Sequence, residues 1–387
     1  MRMKKFFAFS ILTICLIVAL VSCENAKNDR TEVVSNNHKT MTTHELKQKE
    51  MRKLNQTITL TAIGDILIHA RVYDVAKTEH GYDFTPFFSH VKSYLNDTTI
   101  TFANQETMIG GTDLGLSTYP AFNSPYEVGD ALKDAGVNIV SIANNHTLDR
   151  GEKAIQNAIK HWEAIDMMYT GAYKNKTDQE RIRVMETEEG VSVAFLAYTY
   201  GTNGIPVPKG KDYLVNFINK EIIAGEIAKA KEMADVIVLS LHFGNEYERF
   251  PNNEQKDLVQ FAADQGVDIV LGHHPHVLQP ITWVEGKEGN QMLAVYSLGN
   301  FLSGQKGMYR QIGGVFKCTI TKTYKNGKPK IEVTAPKFMP TYVKENEWKP
   351  KPMFQLTERD LPGVRQKYKD IKKHMSQWLP ELEFIEE

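Results

Sequence analysis

Cysteine is scarce in this chain: three residues among 387, at positions 15, 23 and 318. Cys15 lies in an apolar N-terminal run and Cys23 directly follows it, so Cys318 alone is left in the folded body. An intramolecular disulfide is thereby excluded, and stability has to come from a packed core. A surplus of charge is missing as well, with 46 Lys plus Arg against 47 Asp plus Glu. No basic field exists to hold nucleic acid or to steer a polyanion, so any recognition of an anion must be local. Internal repeats are absent too. What the chain does have is apolar material, 42% hydrophobic residues, enough for one large domain or two ordinary ones and too much for a disordered chain.

The first 22 residues read as an export signal. Arg2, Lys4 and Lys5 precede "FFAFSILTICLIVALVS", and Cys23 follows. "LVSC" resembles a bacterial lipobox, in which the signal is cut before the cysteine and that cysteine is lipidated. The alternative is an uncleaved transmembrane helix, for which this run is at the lower limit of length. Both readings place the remainder outside the cytoplasm. Residues 23–56 are polar and lack a sustained apolar period, as suits a tether; "TTHE" at Thr42 has the spacing of a capping box and predicts a short helix there.

After the tether, short β-rich runs recur, and each stops at residues able to bind metal or handle protons. "TITLTAIGD" ends at Asp65, "TTITFANQE" at Asn104 and Glu106, and "VNIVSIANNH" at Asn144, Asn145 and His146. "ADVIVLSLHFG" ends near His242, "VDIVLGHHPH" at His273, His274 and His276, and "MLAVYSLGNF" at Ser297 and Asn300. Helical stretches such as "EIIAGEIAKAKEMA" and "NNEQKDLVQFAADQG" lie between several of them. Helix and strand in alternation predict an α/β fold, in which the strand ends and the loops leaving them gather in one crevice. Any one of these residues could be a turn residue, a cap or a satisfied core histidine; the recurrence at six strand ends argues for a shared site.

Asp65, Glu106, Asn145, His242, His274 and His276 combine carboxylate, amide oxygen and imidazole. That mixture suits a divalent transition metal, Mn, Zn or Fe, and not calcium or magnesium, which favour oxygen throughout. Six candidate ligands suit two metals sharing a bridging carboxylate, a pair able to clamp a phosphoryl group and activate water.

"GD", "NQE", "NNHTLDRG", "HFGNEY", "GHHPHVLQP" and "YSLGNF", in this order, resemble the poly-γ-glutamate capsule biosynthesis family CapA/PgsA, a remote branch of the calcineurin-like metallophosphoesterases. The resemblance covers about residues 57–305 and extends toward the β-rich tail near 345. It implies two mixed β-sheets sandwiched and flanked by helices, α/β/β/α. Carried over residue by residue, it implies Asp65, Asn145, His242, His274 and His276 as metal ligands and His146 as the proton donor to a leaving group, an imidazole task. His273 becomes a supporting or outward-facing residue. Two departures bear on catalysis. Leu67 stands where the superfamily has a histidine two residues after the aspartate, His69 being four residues on, and Glu106 replaces the bridging aspartate.

Asp149 is expected either to orient the His146 ring or, in "DRGE", to cap the next helix with Glu152 as its capping-box partner. Asn104 and Asn300 are candidate substrate contacts, with a turn role as the alternative. "IGGTDLGLSTYP" is read as a lip over the crevice or a surface excursion. The charged stretch after about residue 357 reads as a helix that packs through Trp378 and Leu379. The expected organisation is a signal over 1–22, a tether over 23–56, a metal-site domain over 57–345 and a helical extension over 346–387. The resemblance implies as partners poly-γ-glutamate or another anionic polymer, the membrane-embedded subunits of capsule synthesis and export, and the membrane through a lipid. Three functions remain open: a surface-anchored capsule subunit, an extracytoplasmic phosphoesterase, and a scaffold that grips polymer carboxylates through metal.

Overall fold

The computed structural model describes residues 55–387. The signal, Cys23, most of the tether and the short helix expected at Thr42 lie outside the described residues. Among the described residues no helix is long and apolar enough to cross a membrane.

Two mixed sheets form the centre. The first runs in the order Pro350–Pro352, Lys328–Val343, Ile312–Lys325, Asn55–Leu67, Ile100–Gln105, Ile139–Ser141 and Met168–Thr170. The short strand Asn300–Ser303 pairs in parallel beside the end of Asn55–Leu67. The second sheet runs Leu278–Glu285, Gln291–Leu298, Ile269–His273, Val236–His242, Ser192–Thr199 and Arg183–Glu186. In each sheet the central strands are parallel, so their carboxyl ends emerge at one edge.

Why these runs are strands follows from burial on both faces, which makes parallel strands near-continuous apolar runs. In Val236–His242, Val236 and Val238 face the other sheet, where they join Ile58, Leu60, Phe102 and Phe195. Ile237, Leu239 and Leu241 face the outer helices, against Ile223, Ile227, Leu258 and Ala262. The outer face of the first sheet is covered likewise by Glu127–Asp134 and Gly151–Ala164, with Trp162 fully buried. The four layers are therefore helices, sheet, sheet and helices, the α/β/β/α arrangement expected. Phe102 and Phe195 stack across the two sheets at 6.2 Å; truncating such a residue to Ala costs about 3–5 kcal/mol.

Some helix starts are fixed by a side-chain cap. Asn252 and Gln255 form a complete capping box, and Asn219 caps Lys220–Met233. The helix Gly151–Ala164, like Glu127–Asp134 and Val364–Ser376, has no such cap: its N-cap is Arg150, without a side-chain hydrogen bond. The capping-box reading of "DRGE" is thereby corrected, because the Asp149 carboxylate is engaged elsewhere and Glu152 pairs with Lys211. The C-terminal residues belong to the same body. Pro350–Pro352 extends the first sheet, and Val364, Ile371, Met375 and Leu379 enter the core between the sheets. Trp378 stays 37% exposed while lying against Phe250 and Tyr296.

Candidate metal centre

Strand register assembles the site. Asp65 pairs with Asn104 on one side and with Asn300 on the other, and His242 pairs with His273 and Thr199. Each key residue thus sits at the last rungs of its ladder, where the chain leaves the sheet. Close backbone approach is needed there. A Cβ on Gly64 would fall 1.9 Å from the Gly299 carbonyl oxygen, and one on Gly272 2.0 Å from that of Tyr296. Both positions admit only glycine, which is why Asp65 and His273 each follow one.

Glu106 lies at the centre of the assembled residues. It groups with His274 and His276 on one side and with Asp65 and His242 on the other, ligand atoms in each set lying within 4.8 Å of one another. Its Oε1 is 3.6 Å from His276 Nε2 and 3.7 Å from His242 Nε2. Asn145 Oδ1 is 2.8 Å from the same His242 nitrogen. All six predicted ligands are therefore brought together and buried. Glu106, read from the sequence as replacing a bridging aspartate, lies within reach of both candidate ligand groups.

The residues fit a metal. Both carboxylate oxygens of Glu106 and Nδ1 of His274 are buried without a hydrogen-bond partner, an arrangement that costs about 1–3 kcal/mol per group, more for a charge, unless something binds there. Burial pushes His242 well below its ordinary value, and burial with His276 nearby pushes His274 down to about 3. Both are neutral at pH 7, the form that binds metal. Burial also drives the Glu106 carboxyl well above the usual range. At Asp65 burial acts in the same upward sense but is outweighed by His273 and His276, which hold it well below. His276 is raised to about 9: burial opposes this, and the charges of Glu106 and Asp65 prevail. Two carboxyl groups buried together among imidazoles, with both Glu106 oxygens unpaired, form a site that a cation would satisfy.

Supporting residues fix the ligands. Asn104 Nδ2 donates to Asp65 Oδ1 at 2.9 Å, and His276 Nδ1 lies 3.0 Å from Asp65 Oδ2. Asn104 is fully buried and orients a ligand. His273 is fully buried, its Nδ1 3.4 Å from Asp65 and its ring stacked on Phe102, so it supports and does not face outward. Asn300 is also fully buried and donates to the Arg310 carbonyl at 2.8 Å and to Gln305; it holds a loop. Leu67 is buried in the core and offers no ligand. His69 belongs to neither ligand group; its Nδ1 lies 3.2 Å from the Gly304 amide. His274 and His276 have φ of 97° and 58°, strained values for non-glycine residues, of the kind found at ligand clamps and costing about 1–3 kcal/mol each.

Beside the metal ligands stands a second unit. His146 Nδ1 is 2.7 Å from Asp149 Oδ2, and that oxygen also accepts from the Phe122 amide at 2.7 Å. Asn144, the first residue of the Asn-Asn-His turn, is structural: it accepts from the His146 amide and donates to the Gln105 carbonyl. The glycine-rich loop is pinned at its base. Asn123 bonds Gly110, Gly111 and Gly115, while Arg150 holds the Leu114 and Gly115 carbonyls. The loop delivers Phe122 edge-on to the His146 ring at 4.8 Å.

Residues not among the sequence-predicted site candidates complete the mouth. Asn203 Oδ1 accepts from Asn145 Nδ2 at 3.2 Å. Tyr200 lies 4.6 Å from the His274 ring, and Tyr247 6.2 Å from that of His276. Each is in a loop after a strand end, and Tyr247 also closes the motif "HFGNEY".

The family model described as bacterial capsule synthesis protein PGA_cap matches residues 59–305. A Bacillus anthracis protein named capsule biosynthesis protein CapA is 32% identical over 263 residues, 65% of this chain and 61% of that protein. A Bacillus subtilis (strain 168) protein named PGA biosynthesis protein CapA is 30% identical over 204 residues, 52% of this chain and 51% of that protein. The matches thus span between half and two thirds of those relatives' length. Among solved structures, a putative 5′-nucleotidase from Staphylococcus aureus in complex with alpha-ketoglutarate aligns with TM-score 0.45 and 14% identity, over 81% of this chain and 58% of that one.

Proposed function

Because the chain belongs to the bacterial capsule synthesis protein family PGA_cap, we propose that it is an extracytoplasmic, lipid-anchored component of the machinery that makes or exports poly-γ-glutamate. In this reading the metal centre faces the acidic polymer, and Cys23 carries the lipid that keeps it at the membrane surface. Membrane-embedded subunits of synthesis and export are its partners. One observation carries the reading: Glu106 belongs to both candidate ligand groups at the carboxyl ends of the strands, which supports a centre that holds two divalent transition metals, Mn, Zn or Fe.

Asp65, Glu106 and His242 would hold one ion, with Asn145 adding its amide oxygen, and Glu106, His274 and His276 the other. Bound there, the metals would polarise a carboxylate or phosphoryl oxygen and lower the pKa of bound water. The chain's own residues do the rest. Asn104 and His273 fix Asp65, and Asn203 turns the Asn145 amide so that its oxygen faces His242.

A hydrolytic role is the second reading, and the His146–Asp149 contact favours it. Asp149 occupies Nδ1 of His146, so Nε2 is the nitrogen left to give a proton to a leaving group. Polymer formation in cells separates function from mere presence. In a strain lacking this chain, the wild-type protein is expected to restore surface poly-γ-glutamate, and Glu106→Gln at matched level is not. Full restoration by Glu106→Gln would overturn the metal-dependent role.

A further inference from the structure

Two arginines beside the metal centre are held in an unusual way. Arg249 lies over the ring of Tyr309 at 4.0 Å, and Arg310 over the ring of Tyr247 at 4.9 Å. Tyr247 and Arg249 are two residues apart on the loop after Val236–His242, while Tyr309 and Arg310 are neighbours on the loop after Asn300–Ser303. Each loop thus supplies one cation and one ring to the other, a reciprocal clasp. The clasp is tied to the site at three points. The Tyr247 ring is 6.2 Å from that of His276, the Tyr247 amide donates to the Pro275 carbonyl at 2.8 Å, and Asn300, paired in register with Asp65, holds the Arg310 carbonyl at 2.8 Å.

Stacking fixes a guanidinium by its face and leaves its N–H edges to hydrogen-bond an oxyanion in the plane. In Arg183 the edges are used: they bond Asp178 and three backbone carbonyls. Arg249 and Arg310 make no ion pair within 4.0 Å among the described residues, and Nη2 of Arg249 is enclosed without an acceptor. Tyr247 and Tyr309 are nevertheless 45% and 41% exposed, so the clasp stands at the surface of the mouth. Two positioned cations without counter-ions thus stand next to a site whose own side chains are mainly acidic and imidazole.

We propose that Arg249 and Arg310 form an oxyanion-binding rim that takes carboxylate or phosphate groups of the substrate set back from the group at the metal centre. The inference deepens the reading above and rests on it for the identity of the polymer. A chain bearing an acid on every residue would engage the metals with one group and the rim with the next. A single small phosphoester would engage one of the two. The rim therefore sets a preference for repeated acid groups, which the metals alone do not supply.

The test uses the full-length protein in detergent, loaded with Mn²⁺, and two probes, a γ-linked glutamate oligomer and inorganic phosphate. Binding of the oligomer is expected to weaken about tenfold or more in Arg249→Gln/Arg310→Gln, a loss in line with removing charge-assisted hydrogen bonds, with metal content unchanged. Arg310→Lys keeps the charge but loses the planar fork, and is expected to recover only part of the affinity. Lys306→Gln, on the same loop and paired with Glu345, is expected to bind as wild type. Equal oligomer affinity in wild type and the double variant overturns the rim and leaves the polymer reading standing. Failure of the wild type to bind oligomer, with phosphate binding that depends on the arginines, overturns the polymer reading and keeps the rim. Binding of neither probe overturns both.

Discussion

Glu106 Oε1 lies 3.6 Å from Nε2 of His276, although 170 positions separate them in the sequence. The strands Ile100–Gln105 and Ile269–His273 belong to different sheets, and the contact exists because both sheets release their parallel strands toward one edge. A carboxylate at that junction can serve ligands from either side, and the expected behaviour of the site follows from it.

Removing ligands should empty the centre in a residue-specific order. His274→Ala with His276→Ala is expected to abolish bound transition metal measured by elemental analysis, and Glu106→Gln to lower it in both halves. His273→Ala, which loses only a contact to Asp65, is expected to retain metal. Chelation should lower the melting temperature of the wild type and leave the double variant nearly unmoved, since a ligand at 100 times its Kd adds about 2.7 kcal/mol to the native state. Equal metal content in wild type and double variant would remove these residues from the ligand set.

The His146–Asp149 pair should act on rate and not on metal. His146→Ala is expected to keep its metal and lose about 10² to 10⁴ in turnover of a phosphoester or in polymer formed. Asp149→Asn is expected to lose about 10- to 100-fold, as for a residue that orients another. Normal polymer output from His146→Ala at matched protein level would sink the catalytic reading and leave metal-dependent binding.

Acid should loosen the C-terminal helix through His374. Its Nε2 donates to the Leu278 carbonyl and its Nδ1 accepts from Gln377, so the neutral ring is fully paired. Burial, with Arg249 nearby, pushes it down to about 4 from 6.5. The folded value lies below the unfolded one, so the unfolded chain binds the proton first, and this contribution to stability is lost as pH falls from about 6.5 through 4. His374→Gln is expected to flatten part of the drop in melting temperature over that range. Parallel curves for the two proteins would show that His374 plays no part.

Anchoring at Cys23 has its own test. Cys23→Ser is expected to abolish lipid labelling and signal cleavage at that position. A variant that keeps its processed size and its membrane association without lipid label would contradict the lipoprotein reading. One acyl chain gives only marginal binding, so stable attachment needs a second signal or a second chain.

Much of this was legible in the sequence because the relevant periodicities are local. The stretches Ile269–Leu271 and Val236–Leu239 are apolar at every position, as in a strand covered on both faces, and each is followed within a few residues by histidine. The α/β alternation, the six candidate ligands and the His146–Asp149 option all follow from short-range pattern, or from a resemblance carried by short motifs. What the sequence left open was decided by contacts between distant positions. Asp149 is a candidate helix cap by spacing, yet the Phe122 amide, brought by a loop pinned through Asn123 and Arg150, and the His146 ring claim its carboxylate. Asn300 is a candidate substrate contact by place, yet the pairing of its strand with Asp65 buries it. Asn203, Tyr200 and the two clasped arginines carry no local mark, and Tyr247 only closes the motif "HFGNEY", because a cation over a ring or an amide turned by another amide is a relation between loops. Tertiary structure alone brings those loops to the edge where the two sheets meet.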